Sequence, residues 1–542
     1  MPKNKKPRKK SMLSQVQSAL ITQKKTIDNA IQKSVALHQQ GNISEALEIT
    51  KQALVRAPNN ITLLNNAGAF SAILRDFEQS KIHLSKSLKI KPQDLNALNN
   101  LSNILAELKQ YDQASDIYRK ILKLDPNNAN THSNFANVLQ EQENYTEAEK
   151  HHIIAIQLDP NNASAYNNLG VLYKEQKQFN GAKEYYQKAL SLNPNNISSK
   201  WNLSLLQLIL TEFSEGWKHY EIRNHPENIA ANAIAFFPVT TIPQYQGESL
   251  NKDVKDKHLL ILPEQGVGDE IMFASVLSEL APIVQQHPNT QITLACDARL
   301  VELFNRSFDF LSAIPKDPDN RYSDLEANTN NNTDNNPNNK ADYWLFIGSL
   351  PKFYRNDIKD FDKHQPYLKA NQQLLNQWQD RLSQLPHKQN IGISWTGGKK
   401  AEHKAERSLT LEQMLPILTK ASQNANLINL QYGDHTEEIQ NFKQKTNITI
   451  HDWEDADPLK DLDNFASQIK ALDLVISIDN STVHFAGALG TKTYVMLPFN
   501  QDWRWAENRA DSYWYPNIMT LFRQTQDGQW DEVIQDVTNA LE

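Results

Sequence analysis

Five prolines, Pro58, Pro92, Pro126, Pro160 and Pro194, recur every 34 residues without a slip. Proline cannot continue a helix, and a period of this length predicts a stack of helical hairpins. A single hairpin buries too little apolar surface to fold, so each must stack on its neighbours into a solenoid with a concave face. Other columns keep the same spacing: Ala114, Ala148 and Ala182; Tyr111, Tyr145 and Phe179; Gly68, Ala136 and Gly170. Small residues belong where two helices approach closely, and large ones fill the space between hairpins. Units are expected to start near Ile27, Ile61, Leu95, Ala129, Ala163 and Ile197. The last departs from the pattern. Gly216-Trp217 and Tyr220 stand where its second helix should be and no terminal proline follows, which predicts an end cap joined to a further domain.

The unit from Ala163 carries the fullest pattern: Tyr166, Leu169, Gly170, Tyr173, Ala182, Tyr186, Ala189 and Pro194. It resembles the tetratricopeptide repeat (TPR), which implies an α-helical TPR solenoid and a protein partner on its concave face. One more column is Asn66, Asn100, Asn134, Asn168 and Asn202. Stacked rungs about 8–10 Å apart match about three residues of extended chain at ~3.3 Å each. An asparagine amide offers an acceptor and two donors, so each rung could hold one peptide unit. The column reads as a peptide-binding ladder or, because asparagine is abundant here, as chance on exposed helix faces.

The 542 residues are enough for several domains. The net charge is -7, although Lys3, Lys5, Lys6, Arg8, Lys9 and Lys10 make the first ten residues strongly basic. That tail reads as a solvated end or a contact for anionic surfaces, and the acidic body argues against nucleic-acid binding. No stretch approaches the ~20 apolar residues of a membrane helix, and no signal-peptide core follows the tail. The expectation is a soluble, cytoplasmic protein without a transmembrane segment. The single cysteine, Cys296, lies in an apolar stretch and is expected in a core.

Residues 224–257 are aperiodic and contain prolines, as a linker packed against the last hairpin would. Apolar strand candidates then alternate with helical segments: His258–Pro263, Gln291–Cys296, Tyr343–Ile347, Asn390–Trp395, Ala425–Gln431, Ile448–His451, Asp473–Ile478 and Thr491–Leu497. That alternation predicts parallel, doubly wound sheets. Helices are expected at Asp269–Gln286 and Gln372–Gln384. The organisation is a basic tail with some helix at 1–26, the solenoid at 27–223, a first Rossmann-like half at 258–370, a connecting helix at 371–389 and a second Rossmann-like half at 390–542. The asparagine-rich stretch 317–340 cannot build a core and reads as a disordered insertion.

Three loops carry candidate chemistry. The first is Pro263-Glu-Gln-Gly266-Val-Gly268-Asp269-Glu270, at a strand end, where open α/β sheets bind ligands. Ile271 replaces the third glycine of a dinucleotide fingerprint, which argues against a redox cofactor. Asp269 is either a general base or an acidic residue complementing the helix dipole. The second loop runs from Asp479 through Asn480, Ser481 and Thr482 to His484. Free amides at that helix start, with the two hydroxyls, suit a phosphate, and Ser481 and Thr482 serve equally as caps. His484 is a ligand contact or an ordinary first-turn histidine. The third loop is Trp395-Thr396-Gly397-Gly398, followed by Lys399, Lys400, Lys404 and Arg407. Its glycines admit a phosphate to the backbone and Lys404 and Arg407 offer charge to it, while Lys399 and Lys400 read equally as a solvated loop. Asp455-Ala-Asp457 reads as a solvated acidic turn, so no metal is expected.

At these loops the chain resembles bacterial proteins that fuse TPRs to a glycosyltransferase domain similar to the heptosyltransferases (glycosyltransferase family 9-like), a GT-B fold family. The likeness covers about 201–541. It rests on Gly216-Trp217, Tyr220-Glu221 and Arg223, Glu264 to Asp269, Gly348 to Pro351, Arg407-Ser408, Asp479 to His484, Leu497 to Arg504, and Trp514 to Pro516. It implies a GT-B module of two Rossmann-like halves and a metal-independent, inverting transfer from a nucleotide-sugar, a substrate rather than a cofactor. It also implies Asp269 as the base, with the diphosphate near Ser481, Thr482 and His484. Gly266, Gly268, Trp395, Thr396, Gly397, Lys404, Arg407 and Asp479 complete the candidate donor contacts. Asn480 and Ser481 stand where heptosyltransferases tend to have Thr-Gly, which leaves the sugar open. The layout is also similar to that of protein O-linked N-acetylglucosamine transferase, although that enzyme's catalytic-domain motifs are absent. The expected function is transfer of a sugar to a hydroxyl, on a polypeptide captured by the array. The alternative is an adaptor whose GT-B module is catalytically silent.

Overall fold

The computed structural model describes residues 12–225, 240–317, 340–362, 365–397 and 407–541. Lys399, Lys400 and Lys404, the first residues of the basic tail and nearly all of the asparagine-rich stretch lie outside them. The chain divides into two compact units, Met1–Asn196 and Ile197–Glu542.

The first unit is an array of paired helices: α1 (Met12–Gln39) with α2 (Ile43–Arg56), α3 (Ile61–Ile73) with α4 (Phe77–Ile90), α5 (Leu95–Glu107) with α6 (Tyr111–Leu124), α7 (Ala129–Glu141) with α8 (Tyr145–Leu158), and α9 (Ala163–Glu175) with α10 (Phe179–Leu192). From α3 on, every first helix begins at the expected residue. The reason is a repeated cap two residues after each proline: Asn60, Asp94, Asn128 and Asn162 accept the amides of Leu63, Ala97, Thr131 and Ala165. The turn inside each hairpin holds one residue in the left-handed region, Gly41, Arg75, Lys109, Glu143 and Lys177 in succession. Helix α1 starts at Met12, well before Ile27.

Packing within hairpins follows the columns. A Cβ on Gly68 would stand 2.6 Å from Leu84 Cγ, and one on Gly170 2.6 Å from Tyr186 Cε1. Each fully buried side chain of this kind stabilises by ~1.5–3 kcal/mol. Successive first helices also touch one another, α3 with α5, α5 with α7 and α7 with α9.

The second unit opens with α11 (Ile197–Ile209) and α12 (Phe213–Tyr220), followed by a 3-10 turn at Glu221–Asn224. Gly216, Trp217 and Tyr220 therefore lie on a shortened second helix instead of replacing it. Gly216 is required by the crossing, since its missing Cβ lies 2.8 Å from Leu208. The described end of the linker packs on a sheet edge rather than on the hairpin: Trp344 donates to Pro243 O at 3.0 Å and Tyr245 to Trp344 O at 2.8 Å.

Two parallel sheets follow. Strands β1 (His258–Leu262), β2 (Gln291–Cys296), β3 (Ser312–Pro315) and β4 (Tyr343–Phe346) pair in the order β3-β2-β1-β4. Strands β5 (Gln389–Ser394), β6 (Ala425–Asn429), β7 (Ile450–His451), β8 (Leu474–Ile478), β9 (Thr493–Leu497) and β10 (Met519–Arg523) pair in the order β10-β9-β8-β5-β6-β7. Both are doubly wound, and their order reverses between β1 and β4 and between β5 and β8, which puts a crevice beyond the ends of those strands. The edge strands β3 and β10 were not anticipated; both are partly exposed, and polar or charged residues interrupt their apolar pattern. The helix expected at Asp269–Gln286 is broken into Val267–Ala274, a 3-10 turn Leu277–Leu280 and Ala281–Gln286. Pro282 accounts for the break before Ala281–Gln286, because its ring clashes with the carbonyl four residues back. Cys296 is a buried free thiol, as expected.

Candidate functional site

Strand β1 ends at Leu262, Gln265 turns the chain in the left-handed region (φ 61°), and Gly266 caps the Val267–Ala274 helix. Strand β8 ends at Ile478, and Asn480 caps the Ser481–Leu489 helix by accepting Thr482 N at 3.0 Å. These two helix starts, one from each sheet, abut. A Cβ on Gly268 would lie 3.1 Å from His484 Cδ2 and 3.4 Å from Ser481 Cα, so glycine is there for close approach. Between them opens a cavity of about 350 Å³. Gly266, Gly268, Asp269, Arg299, Arg407, Asp479, Ser481, Thr482, His484 and Arg504 line its polar side, and Leu459, Leu462 and Phe465 its apolar wall. Two helix N-termini make this end of the cavity attractive to an anion.

Eight of the expected residues thus come together: Gly266, Gly268, Asp269, Arg407, Asp479, Ser481, Thr482 and His484. Trp395, Thr396 and Gly397 do not line the cavity. Trp395 is fully buried in the core of the second sheet and donates to Glu438. The amides of Trp395 and Thr396 both donate to Gln431 Oε1, at 2.9 and 2.8 Å, and that of Gly397 donates to Ser408 Oγ. The third loop therefore spends its backbone donors internally. It braces the cavity through Asn480, whose Nδ2 donates to Ser394 Oγ and Thr396 O.

Both carboxylate oxygens of Asp269 are engaged. Oδ2 accepts Gly266 N at 3.1 Å, and Oδ1 forms an ion pair with Arg504. Arg504 is held in turn by Asp502 at 2.6 Å and Gln265 at 3.0 Å, and it lies over Trp503. Arg407 stands 3.7 Å from Asp479. Burial raises Asp479 above the usual carboxylate range, against the pull of Arg407. Burial pushes Asp502 the same way, but Arg504 and Arg407 outweigh it and leave Asp502 low. Burial, and then Arg504, drive His484 down to about 3, so its ring is neutral, with Nδ1 3.1 Å from the Tyr515 hydroxyl. Glu270 does not line the cavity. Burial lifts it to about 7, and it accepts Asp297 N at 2.8 Å.

Arg299 and Arg504 were missed as site residues. Arg504 reaches Asp269 across 235 residues, a distance no spacing rule spans, and the one signal was the matched segment ending at it. Other matched segments meet behind the cavity. Arg223, fully buried, donates to Glu264 at 2.6 and 2.9 Å and to Ser349 Oγ at 2.9 Å, while Gly348 N donates to Glu264 at 2.7 Å. Trp217 donates to Arg355 O at 2.7 Å and meets Tyr220, Trp503 and Trp514 edge to face. The Tyr220 hydroxyl accepts Gln265 Nε2, which ties this cluster to the β1 turn.

In the array, Asn66, Asn100, Asn134 and Asn168 share one position on α3, α5, α7 and α9 and are half-buried. Two rungs bond to the preceding repeat, Asn134 to Asn103 at 3.2 Å and Asn168 to Ser133 at 3.4 Å. Asn202 lies on α11, in the second unit. Asp455 of the acidic turn is exposed, as expected of a solvated turn, and it pairs there with Arg381 at 2.9 and 2.7 Å. No group of three or more possible metal ligands occurs among the described residues.

Tetratricopeptide repeat models match residues 95–128, 117–150, 136–177 and 163–196. Protein FlbA of Caulobacter vibrioides is 29% identical over 336 residues, which are 62% of this chain and 53% of that protein. The chain thus spans about half the length of the curated relative it matches. Among solved structures, MamA of Desulfovibrio magneticus RS-1 is 20% identical, covering 32% of this chain and 97% of its own, with a TM-score of 0.30. TTC0263, a TPR protein of Thermus thermophilus, is 19% identical over 34% of this chain and 99% of its own, with a TM-score of 0.31. The N-terminal region is an array of tetratricopeptide repeats, and parallel sheets follow it. Among the described residues no helix is long and apolar enough to cross a membrane.

Proposed function

We propose that the protein is a GT-B glycosyltransferase that moves a sugar from a nucleotide-sugar to a hydroxyl on a polypeptide held by its repeats. The observation that carries this reading is the meeting of the Gly266–Asp269 turn and the Asn480–Thr482 turn in one cavity with three arginines. A diphosphate there is met by the amide of Ser481, by the Ser481 and Thr482 hydroxyls and by Arg407 and Arg504, which stabilise the charge that develops as it leaves. The acceptor oxygen attacks the anomeric carbon as the bond from that carbon to the diphosphate oxygen breaks, and Asp269 takes the hydroxyl proton. The apolar wall of Leu459, Leu462 and Phe465 gives the rest of the donor a dry surface. The repeats raise the effective concentration of the acceptor, with Asn66, Asn100, Asn134 and Asn168 bonding to its main chain.

Thermal shift against a panel of nucleoside diphosphates and nucleotide-sugars tests donor binding, since a ligand of the folded state raises Tm. The expected result is a response to one base. Donor hydrolysis should vanish in Asp269→Ala and persist in Asn100→Ala/Asn134→Ala, which should lose peptide capture instead. The hold of Arg504 on Asp269 favours a second reading, an adaptor with a silent module. Silence across the whole panel, with peptide capture intact, would establish that one.

A further inference from the structure

We infer that Asp269 is latched by Arg504 in the donor-free protein, and that an incoming diphosphate competes for Arg504 and releases the carboxylate. The inference rests on the transferase reading above and deepens it. In the structure Asp269 has no oxygen to spare, one being taken by Gly266 N and the other by Arg504. With both oxygens hydrogen-bonded inside the protein, Asp269 has neither turned toward an acceptor hydroxyl. Arg504 does not depend on Asp269 for its position. Its Nη1 pairs with Asp502 at 2.6 Å, its Nη2 also reaches Gln265 at 3.0 Å, and its guanidinium rests on Trp503. One terminal nitrogen, Nη2, is thus shared between Asp269 and whatever else enters the cavity.

The cavity is self-neutralised at two points, Asp269 with Arg504 and, more loosely at 3.7 Å, Asp479 with Arg407. Neutral His484 adds no cation that could hold Asp269 in place of Arg504. A diphosphate carries more charge than a carboxylate and offers several oxygens in guanidinium-matching geometry. Seated at the Ser481 helix start, it takes Nη2 from Asp269 and leaves Asp269 with its Gly266 contact and a free oxygen. The latch keeps the base inactive until a donor is present.

The test is isothermal titration of the full-length protein with inorganic pyrophosphate and with the nucleoside diphosphate that raises Tm most. Asp269→Asn keeps an oxygen for Gly266 N but removes the competing charge, and should bind both probes about tenfold more tightly than wild type. The gain should disappear in Asp269→Asn/Arg504→Gln, relative to Arg504→Gln alone. Asp269→Ser, which also keeps an oxygen for the cap, repeats the measurement if the asparagine variant melts early. Unchanged or weaker binding in both single variants, with wild type still binding, overturns the latch and leaves the transferase reading standing. No binding by any of the proteins overturns both.

Discussion

In the repeat array Gly68 faces Leu84, and three repeats later Gly170 faces Tyr186 across the equivalent helix pair. In the sheet unit Arg223 grips Glu264 and Ser349, and Arg504 grips Asp269, partners 41, 126 and 235 residues apart that occur once each. A contact made in every repeat leaves a column in the sequence and shares out the stability, so that the array is close to a sum of neighbour terms. A contact made once leaves no column and concentrates stability in a few nodes. Arg223 is the sharpest of these, a fully buried cation paired with the buried Glu264 and, at 2.7 Å, with the partly buried Glu221. Arg223→Met should cost about 3–5 kcal/mol in urea denaturation, because Glu264 is then left buried and uncompensated. Arg223→Met/Glu264→Leu should recover most of that. If the single variant costs no more than an ordinary repeat substitution, the contrast between the two regions fails.

The array has its own exception. His152 occupies the column of Leu84, Tyr118 and Tyr186, is fully buried, and neither ring nitrogen has a hydrogen-bond partner among the described residues. Burial, with His151 beside it, holds its pKa down to about 4 from 6.5. Above pH 6.5 the folded and unfolded states are both neutral there, so nothing changes. As pH falls below 6.5 the unfolded chain takes up the proton first, and stability drops until about pH 4, by roughly 3 kcal/mol. His151, also held low by burial and then by His132, acts in the same direction. His152→Leu should flatten most of this slope in urea melts at pH 7 and pH 4.5, and an unchanged slope would remove His152 as its source.

The legible parts were those whose cause is local. Helix starts at Ile61, Leu95, Ala129 and Ala163 follow from a proline and a cap within three residues. The Gly266–Asp269 and Asn480–Thr482 turns could be read because a strand end, a bend and a helix start lie side by side in sequence. Trp395 to Gly397 lie off the cavity lining because Gln431, 36 residues on from Trp395, takes the amides of Trp395 and Thr396, and Ser408 takes that of Gly397. Arg504 was absent from the expected site because only the tertiary fold brings it to Asp269. Column readings, by contrast, predict packing well enough to be tested by overfilling. Gly170→Val should cost about 1–3 kcal/mol, since the new side chain meets the Tyr186 ring. Tyr186→Leu in the same chain should return part of that loss. Equal losses with and without the second change would mean that the crossing is not set by this pair.

The smallest effect sharpens the comparison most. The inner turns place Arg75, Glu143 and their equivalents at φ near 60°, where Gly41 has φ 81° and no Cβ to strain. An L-residue there costs about 1–2 kcal/mol, partly offset by the extra freedom that glycine loses on folding. Glu143→Gly should therefore stabilise the array by roughly 0.5 kcal/mol, and Arg75→Gly by somewhat less, because Arg75 also lies over the Phe77 ring at 5.6 Å. The two turns belong to different hairpins, so their gains should add within the error of independent sites. The paired substitutions Arg223→Met and Glu264→Leu should fail to add by several times that amount. Additivity in the turns together with its failure at Arg223 is what separates a fold built of repeated neighbours from one built of single nodes, and equal additivity in both would erase the distinction.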